Sequence, residues 1–382
     1  MPPSTNGTTN PLPRMPVKQK MATSLKSLFF SVLGDGGSKK AATWSELFPK
    51  TDPARDGEEC LRDCDSCSVR YPRGFKIDES DVLFGQVRGW STHVVVGTGK
   101  TDWVRDVADE KGSVMEAIAR AEAPTNGRLM VSASNMPTGE EEADGAAGEE
   151  DGKHGGHGGH GGRNHGYGRP TNVLLLPAMT LVQGVHPRNV AEVLRLVVST
   201  APTSDSPLSA STATRTDTPD ATDTAPQPPP GVRTRPCPHA AVVLLCSQRT
   251  RDARCGQSAP LLRKELERHL RPLGLHRDLH DDRPGGVAIY FVSHVGGHKY
   301  SANVLIYRRA NAFGCDDADP GADADSHGSP PSAEAAQCIW LARVRPEDCE
   351  NLVRYTLLRG KVVKPETQLR GGFDRARGLT SW

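Results

Sequence analysis

The sequence predicts an α/β chain of two folded blocks, each running strand–helix–strand, then a hairpin, then a helix. Three observations carry that expectation. Short apolar runs of strand length alternate with amphipathic stretches, as in "AVVLLC" (241–246) ahead of "SAPLLRKELERHLRPL" (258–273). A length of 382 residues accommodates about two domains of roughly 100–200 residues each. Between the blocks, residues 201–236 are mainly Ser, Thr, Asp and Pro and include "PQPPPG", the composition of a linker.

Residues 1–54 read as a basic tail or a presequence. Arg14, Lys18, Lys20 and Lys26 precede the first acid, Asp35, and "SLKSLFFSVL" from Ser24 has the make-up of a short amphipathic helix. That is the pattern of a mitochondrial presequence, so a mitochondrial location is expected, with a cytoplasmic one as the alternative.

The first block, 55–200, gives the looser version of the order. "THVVVGTG" (92–99) is a strand, "DVADEKGSVMEAIARAEA" (106–123) a helix, "GRLMVSA" and "NVLLLPAM" strands, and "PRNVAEVLRLVVS" a helix. Within it, residues 138–170 hold an acidic Gly/Ala run and "HGGHGGHGG", with no apolar period. Such a segment buries too little surface to offset its ordering entropy, so disorder is expected. His154, His157 and His160 there suit adventitious metal binding only, since nothing fixes their geometry.

The second block, 237–382, is clearer. "AVVLLC" is a buried strand, and Leu262, Leu266 and Leu270 make one face of a helix. "VAIYFVSHV" from Val287, "ANVLIYRR" from Ala302 and "QCIWLARV" from Gln337 are strands. A last helix has Pro346 in its first turn, Cys349, Leu352, Val353 and Leu357 on one face, and a stop at Gly360. Residues 314–335 form an enlarged, disordered hairpin loop. This order is the thioredoxin-like layout, so two thioredoxin-like domains are expected, the first a degenerate one.

Composition narrows the function classes. A net charge of +1 gives no electrostatic footprint for nucleic acid. No run of 18 apolar residues is present, so membrane insertion is not expected. The nine cysteines are an odd number and no secretory signal precedes them, which points to reduced thiols rather than a disulfide framework.

The strongest constellation lies in the second block. Cys246 ends a strand and Cys255 lies in the loop before the helix; His294 and His298 follow the next strand, with Gly296 and Gly297 between them. In a thioredoxin-like unit those two loops face each other, so two thiolates and two imidazoles converge. That donor set suits zinc, and equally a 2Fe–2S cluster in which imidazoles replace two thiolates. The residues alone leave both open.

"SHVGGHKYSANVLIY", "FKIDESDVLFGQV", "THVVVGTGKTDW" and "KPETQLRGGFDR" together resemble the fungal sucrase/ferredoxin-like family, in particular its altered inheritance of mitochondria protein 32 branch. The resemblance spans roughly residues 57–382 outside the low-complexity runs. It implies a thioredoxin-like ferredoxin for the C-terminal domain and a 2Fe–2S cluster held by Cys246, Cys255, His294 and His298. With two neutral imidazoles the oxidised centre carries no net charge, against −2 for four thiolates, so it accepts an electron more readily. An electron carrier is expected rather than a substrate-converting enzyme, because no open metal position remains. Its redox donor and acceptor are unnamed.

Three further motifs stand apart. Cys60, Cys64 and Cys67 form Cys-x3-Cys-x2-Cys, a spacing open to thiol redox chemistry or to unreactive surface thiols. "GTGKTDW" lacks the glycine five residues before Gly99 that a phosphate loop needs, since Val94 stands there. Trp382 ends the chain as Ser-Trp, which resembles the carboxy-terminal peptide that cytosolic iron–sulfur assembly machinery reads on its clients.

Overall fold

The computed structural model describes residues 41–139, 169–208, 227–316 and 332–382. Residues 1–40 of the expected N-terminal tail, the His154–His157–His160 repeat and most of the expected disordered runs lie outside the described residues, whereas Leu47 and Phe48, expected within that tail, are buried in the core.

Twelve strands among the described residues form one mixed sheet. The N-terminal half supplies β1 (Thr92–Gly97), β2 (Leu129–Ser134), β3 (Thr171–Leu176) and β4 (Thr180–Val185). β5 (Arg233–Pro236) follows, then β6 (Ala241–Cys246), β7 (His276–Arg277) and β8 (Val287–Val292). The chain ends with β9 (Val304–Arg309), β10 (Ala335–Leu341), β11 (Leu369–Asp374) and β12 (Leu379–Thr380). Their order is β12-β11-β10-β9-β6-β8-β2-β1-β3-β4-β5, with β7 paired to β8 off that path.

Each half repeats one arrangement inside this sheet. In the first, β1 is parallel to β2 and antiparallel to β3, which is antiparallel to β4. In the second, β6 is parallel to β8 and antiparallel to β9, which is antiparallel to β10. The halves meet where β2 and β8 pair at Ser134 and Val292. That joint is tied by Ser293 N–H to Ala133 O (2.8 Å) and by Phe291 N–H to the Asn135 side chain (2.8 Å).

The sheet is buried on both faces, which is why its central strands are unbroken apolar runs. On one face of the C-terminal half, Val243, Leu245, Ile289 and Ile306 pack under Leu262, Leu266 and Leu270. On one face of the N-terminal half, Val94, Val96 and Leu175 pack under Val190, Val193 and Val198. The alternate positions, among them Val95, Leu174, Val242, Leu244 and Tyr307, form a third core shared by both halves. Each fully buried side chain of this kind contributes about 1.5–3 kcal/mol. Inside that shared core His93, wholly buried, contacts Tyr307 Oη (3.0 Å) and Ser132 Oγ (2.9 Å).

Several expectations need correction. The long helix spans Ala253–Leu270, so Cys255 lies in its first turn and not in the preceding loop. Asp252 caps it by accepting from Arg254 N–H, which outweighs the helix-breaking look of Gly256 and Pro260. The helix expected over 106–123 is reduced to Val114–Arg120, because Gly112 adopts φ +74° and Ser113 starts a new cap. Residues 233–236, expected in the linker, are strand β5 against β4. Strand β11 was hidden by its glycines. At Gly372 a Cβ would lie 1.9 Å from Cys338 O, so this close approach of strands admits only glycine. β9 and β10 are neighbours, Arg309 facing Ala335, although residues 310–334 separate them in sequence. No helix among the described residues is long and apolar enough to cross a membrane.

Candidate metal centre

The parallel register of β6 and β8 sets Cys246 beside Val292, so the two strands release their chains side by side. Cys246 is the last residue of β6, and His294 comes two residues after β8. The capped helix start then swings Cys255 back over the same point. Sγ of Cys246, Sγ of Cys255 and a ring nitrogen of His294 all lie within 4.8 Å of one another. Cys246 Sγ is 3.9 Å from His294 Nδ1. His298 opens a short 3-10 turn, His298–Tyr300, on the same loop.

Both thiols are buried while His294 is half-exposed, so the imidazole side of the cluster is the one that reaches the surface. The hydrogen bond between the thiols drives Cys246 down, against burial, and His294 lowers it further. The same hydrogen bond, with burial, drives Cys255 up. The pair therefore behaves as one acid, with Cys246 giving up the first proton.

Two side chains that sequence reading passed over hold this geometry. Gln248, buried, accepts from His294 N–H at 2.8 Å and donates to Trp103 O at 3.4 Å. Arg370, also buried, donates to Gly296 O (2.8 Å), Asn303 Oδ1 (2.9 Å) and Gln86 O (3.0 Å). Its guanidinium lies 4.2 Å from the centroid of the Trp340 ring. Burial pushes Arg370 down to about 10, with Tyr300 and Cys246 opposing, so it stays cationic at neutral pH. Gly296 and Gly297 adopt φ +88° and +63°, and a Cβ on Gly297 would fall 2.3 Å from Arg370 Nη2. Both glycines are required by backbone conformation, and Gly297 a second time by the arginine packed on it. Only the "LRGG" run hinted at Arg370, and an arginine between apolar and glycine residues carries no signal of its partner.

A cavity of about 630 Å³ opens beside His294. Arg88, Arg128, Lys299 and Arg370 line it together with Met130 and Trp340, and no carboxylate is among the lining residues. Its electrostatic preference is for anions.

The remaining sequence candidates separate. Cys60 is buried, whereas Cys64 and Cys67 line a different cavity. "GTGKTDW" serves as a buttress: Ser247 Oγ donates to Thr101 O (2.8 Å) and Thr250 Oγ1 to Asp102 (2.9 Å), bracing the chain just after Cys246. Trp382 packs its ring on Trp90, with centroids 4.5 Å apart.

Two soft thiols, one easily deprotonated, and an imidazole converging from three elements fit a transition metal or an iron–sulfur cluster. A profile of the sucrase/ferredoxin-like proteins matches residues 83–371. The chain belongs to the sucrase/ferredoxin-like family. Relatives of this family member include actin patches distal protein 1 of Saccharomyces cerevisiae, 39% identical over 119 residues, or 31% of this chain and 30% of that protein. Altered inheritance of mitochondria protein 32 of Clavispora lusitaniae is 33% identical over 126 residues, 33% of either chain. The protein of that name from Debaryomyces hansenii is 30% identical over 123 residues, 32% of this chain and 33% of its own. These alignments span about a third of the length of the curated relatives. No solved structure matches the chain. The family match begins at Leu83 and so leaves Cys60, Cys64 and Cys67 outside it.

Proposed function

We propose that this chain is an iron–sulfur electron-transfer protein in which Cys246, Cys255, His294 and His298 hold a 2Fe–2S cluster. The observation that carries the reading is the convergence of Cys246, Cys255 and His294 at the joined ends of β6 and β8, in a chain of this family. The repeated strand order supports reading both halves as thioredoxin-like units, the second a thioredoxin-like ferredoxin.

When bound, the cluster supplies one-electron transfer. The protein's own part is to bury the thiols, to hold the His294 backbone through Gln248, and to place a cation near Cys246 through Arg370. A nearby positive charge favours the reduced form, as does a neutral imidazole in place of a thiolate. Each imidazole would keep a second ring nitrogen, which could couple electron uptake at a bound cluster to proton uptake. The cationic cavity beside His294 favours an acidic redox partner, with association that weakens as salt rises. Mitochondrial location and delivery of the cluster by iron–sulfur assembly machinery belong to the same reading.

The deciding experiment is a visible absorption spectrum of anaerobically purified protein with iron and sulfide assays. A coloured protein with two irons and two sulfides per chain is the expected result. A colourless, zinc-containing protein would replace this reading with a zinc-stabilised binding module built on the same donors.

A further inference from the structure

The N-terminal cysteines that the family match leaves out meet the far end of the long helix. Ala253–Leu270 begins at the candidate centre, and Arg268 and His269 lie in its last turn, about 20 Å from Cys255 at 1.5 Å rise per residue. Cys64 Sγ lies 3.4 Å from Arg268 Nη2, 3.9 Å from His269 Nε2 and 3.5 Å from Ser66 Oγ. Arg268 is aimed there by Glu265, fully buried, which takes its Nε–H at 2.8 Å. The same carboxylate accepts from Ser68 N–H at 3.0 Å, so one buried acid fixes both the arginine and the cysteine loop. Cys64 N–H donates to Glu347 O (3.0 Å) and Asn351 to Arg62 O (2.8 Å), which pin the other side of the loop.

The two thiols are in opposite situations. Cys64 faces the Arg268 guanidinium, in a cavity of about 460 Å³ that Arg70, Tyr71 and Phe75 also line. Cys67 lines the same cavity but donates its S–H to Val69 O at 2.9 Å. Burial raises its pKa, and Glu265 and Cys64 add to the rise. Asp65 and Ser66 form a turn between them, which keeps the two Cα atoms within about 7 Å, inside the reach of a disulfide. Cys60 takes no part in this cavity.

We propose that Cys64 and Cys67 are a thiol–disulfide exchange site, Cys64 attacking and Cys67 resolving, for a disulfide-bearing substrate that enters this cavity. The Cys64 thiolate bonds to one sulfur of the substrate disulfide and expels the other as a thiolate. Cys67 then gives up its proton and bonds to Cys64 sulfur, expelling the second substrate sulfur. The substrate disulfide gains two electrons and leaves as two thiols, and the cysteine pair ends as a disulfide. The Cys67 proton passes to the substrate thiolate expelled in the first step. A bound cation suits this place less well. Cys64, His269 and Glu350 offer ligand atoms within 4.8 Å of one another, yet Arg268 already reaches both Cys64 and His269 Nε2 (3.0 Å). None of these residues is a candidate ligand of the centre near Cys246, so the site stands or falls independently of the cluster.

The test uses the full chain, reduced, with iodoacetamide labelling followed by peptide mapping. At mildly acidic pH Cys64, beside the Arg268 guanidinium, should label about tenfold faster than the exposed Cys315. Arg268→Gln should remove most of that advantage and Arg268→Lys restore part of it. With oxidised glutathione, the unaltered protein should release two glutathione thiols and form the Cys64–Cys67 disulfide, while Cys67→Ser should retain one glutathione on Cys64. An oxidised peptide run in parallel separates a small-molecule disulfide from a polypeptide one. Equal labelling of Cys64 and Cys315 overturns the proposal, as does a Cys67→Ser protein that carries no mixed disulfide with either substrate. Zinc that protects Cys64 from the label in the unaltered protein would assign the cluster to a metal instead. Should Arg268→Gln fail to fold, the labelling ratio and the Cys67→Ser trap still decide.

Discussion

The two halves of this molecule run their strands in one order, β2-β1-β3-β4 and β8-β6-β9-β10, yet among the described residues only the second ends its parallel pair in a cluster of side chains that could hold a metal. Gly97 pairs with Ser134 at the end of β1 and β2, as Cys246 pairs with Val292 at the end of β6 and β8. After those ends the first half continues with Thr98 and Asn135, and the second with a glutamine loop, Cys255 and His294. The strand order creates a meeting point of two loops. The side chains decide whether that point carries chemistry or, as here in the first half, braces its counterpart through Thr101 and Asp102.

The largest expected effect removes the chemistry from the half that has it. Cys246→Ser or Cys255→Ser should reduce bound iron nearly to zero and bleach the visible spectrum, since a hydroxyl is a poor soft-metal ligand. Unchanged iron in both variants would detach the centre from these cysteines.

A second test addresses the core that the halves share. Burial pushes His93 down to about 3 and His239 down to about 4. Unfolding lets each take a proton near its ordinary value of about 6.5. Folded-state stability is therefore complete above that value and falls as pH drops toward 4, by about 1.4 kcal/mol per pH unit for each histidine. Urea midpoints measured between pH 7.5 and 4.5 should show this slope, and His93→Gln should lose about half of it.

Arg370 belongs to the second half only. Arg370→Met leaves the acceptors at Gly296 and Asn303 without their charged donor, which should cost about 2–4 kcal/mol in a denaturant melt. It also removes the cation near Cys246, so the midpoint potential should fall.

The first half has its own sensitive point. A Cβ on Gly97 would approach Pro137 O at 2.9 Å and both Asn172 O and Met136 O at 3.0 Å. Gly97→Ala should cost about 1–3 kcal/mol of stability and leave the iron content unchanged. Iron loss there would mean that the brace transmits strain to the centre. The smallest effect is expected from replacing residues 317–331 by a short glycine-containing turn, because β9 and β10 already pair at Arg309 and Ala335. Spectrum and iron content should match those of the unaltered chain.

Much of the second half was legible because its signals are local. "AVVLLC" is β6 to the residue, and Leu262, Leu266 and Leu270 are buried as their period requires. Elements marked by a conflict of local signals were not legible. Gly371 and Gly372 disguised β11, and Gly256 and Pro260 masked the helix turn that presents Cys255. In both cases a tertiary contact or a single cap overrides local propensity.

By itself the sequence determined the residue types of the centre, their spacing, and the alternation of strands and helices, since these follow from period and composition. Tertiary structure alone decided that the two halves share one sheet and one core, because pairing between β2 and β8 rests on a few hydrogen bonds distant in the chain. It alone decided that Gln248 and Arg370 hold the histidine loop, since each does so through backbone atoms that leave no mark on sequence. And it alone parted Cys60 from Cys64 and Cys67. Three cysteines of similar spacing differ chemically only by where Arg268, Glu265 and the surrounding burial place their charges.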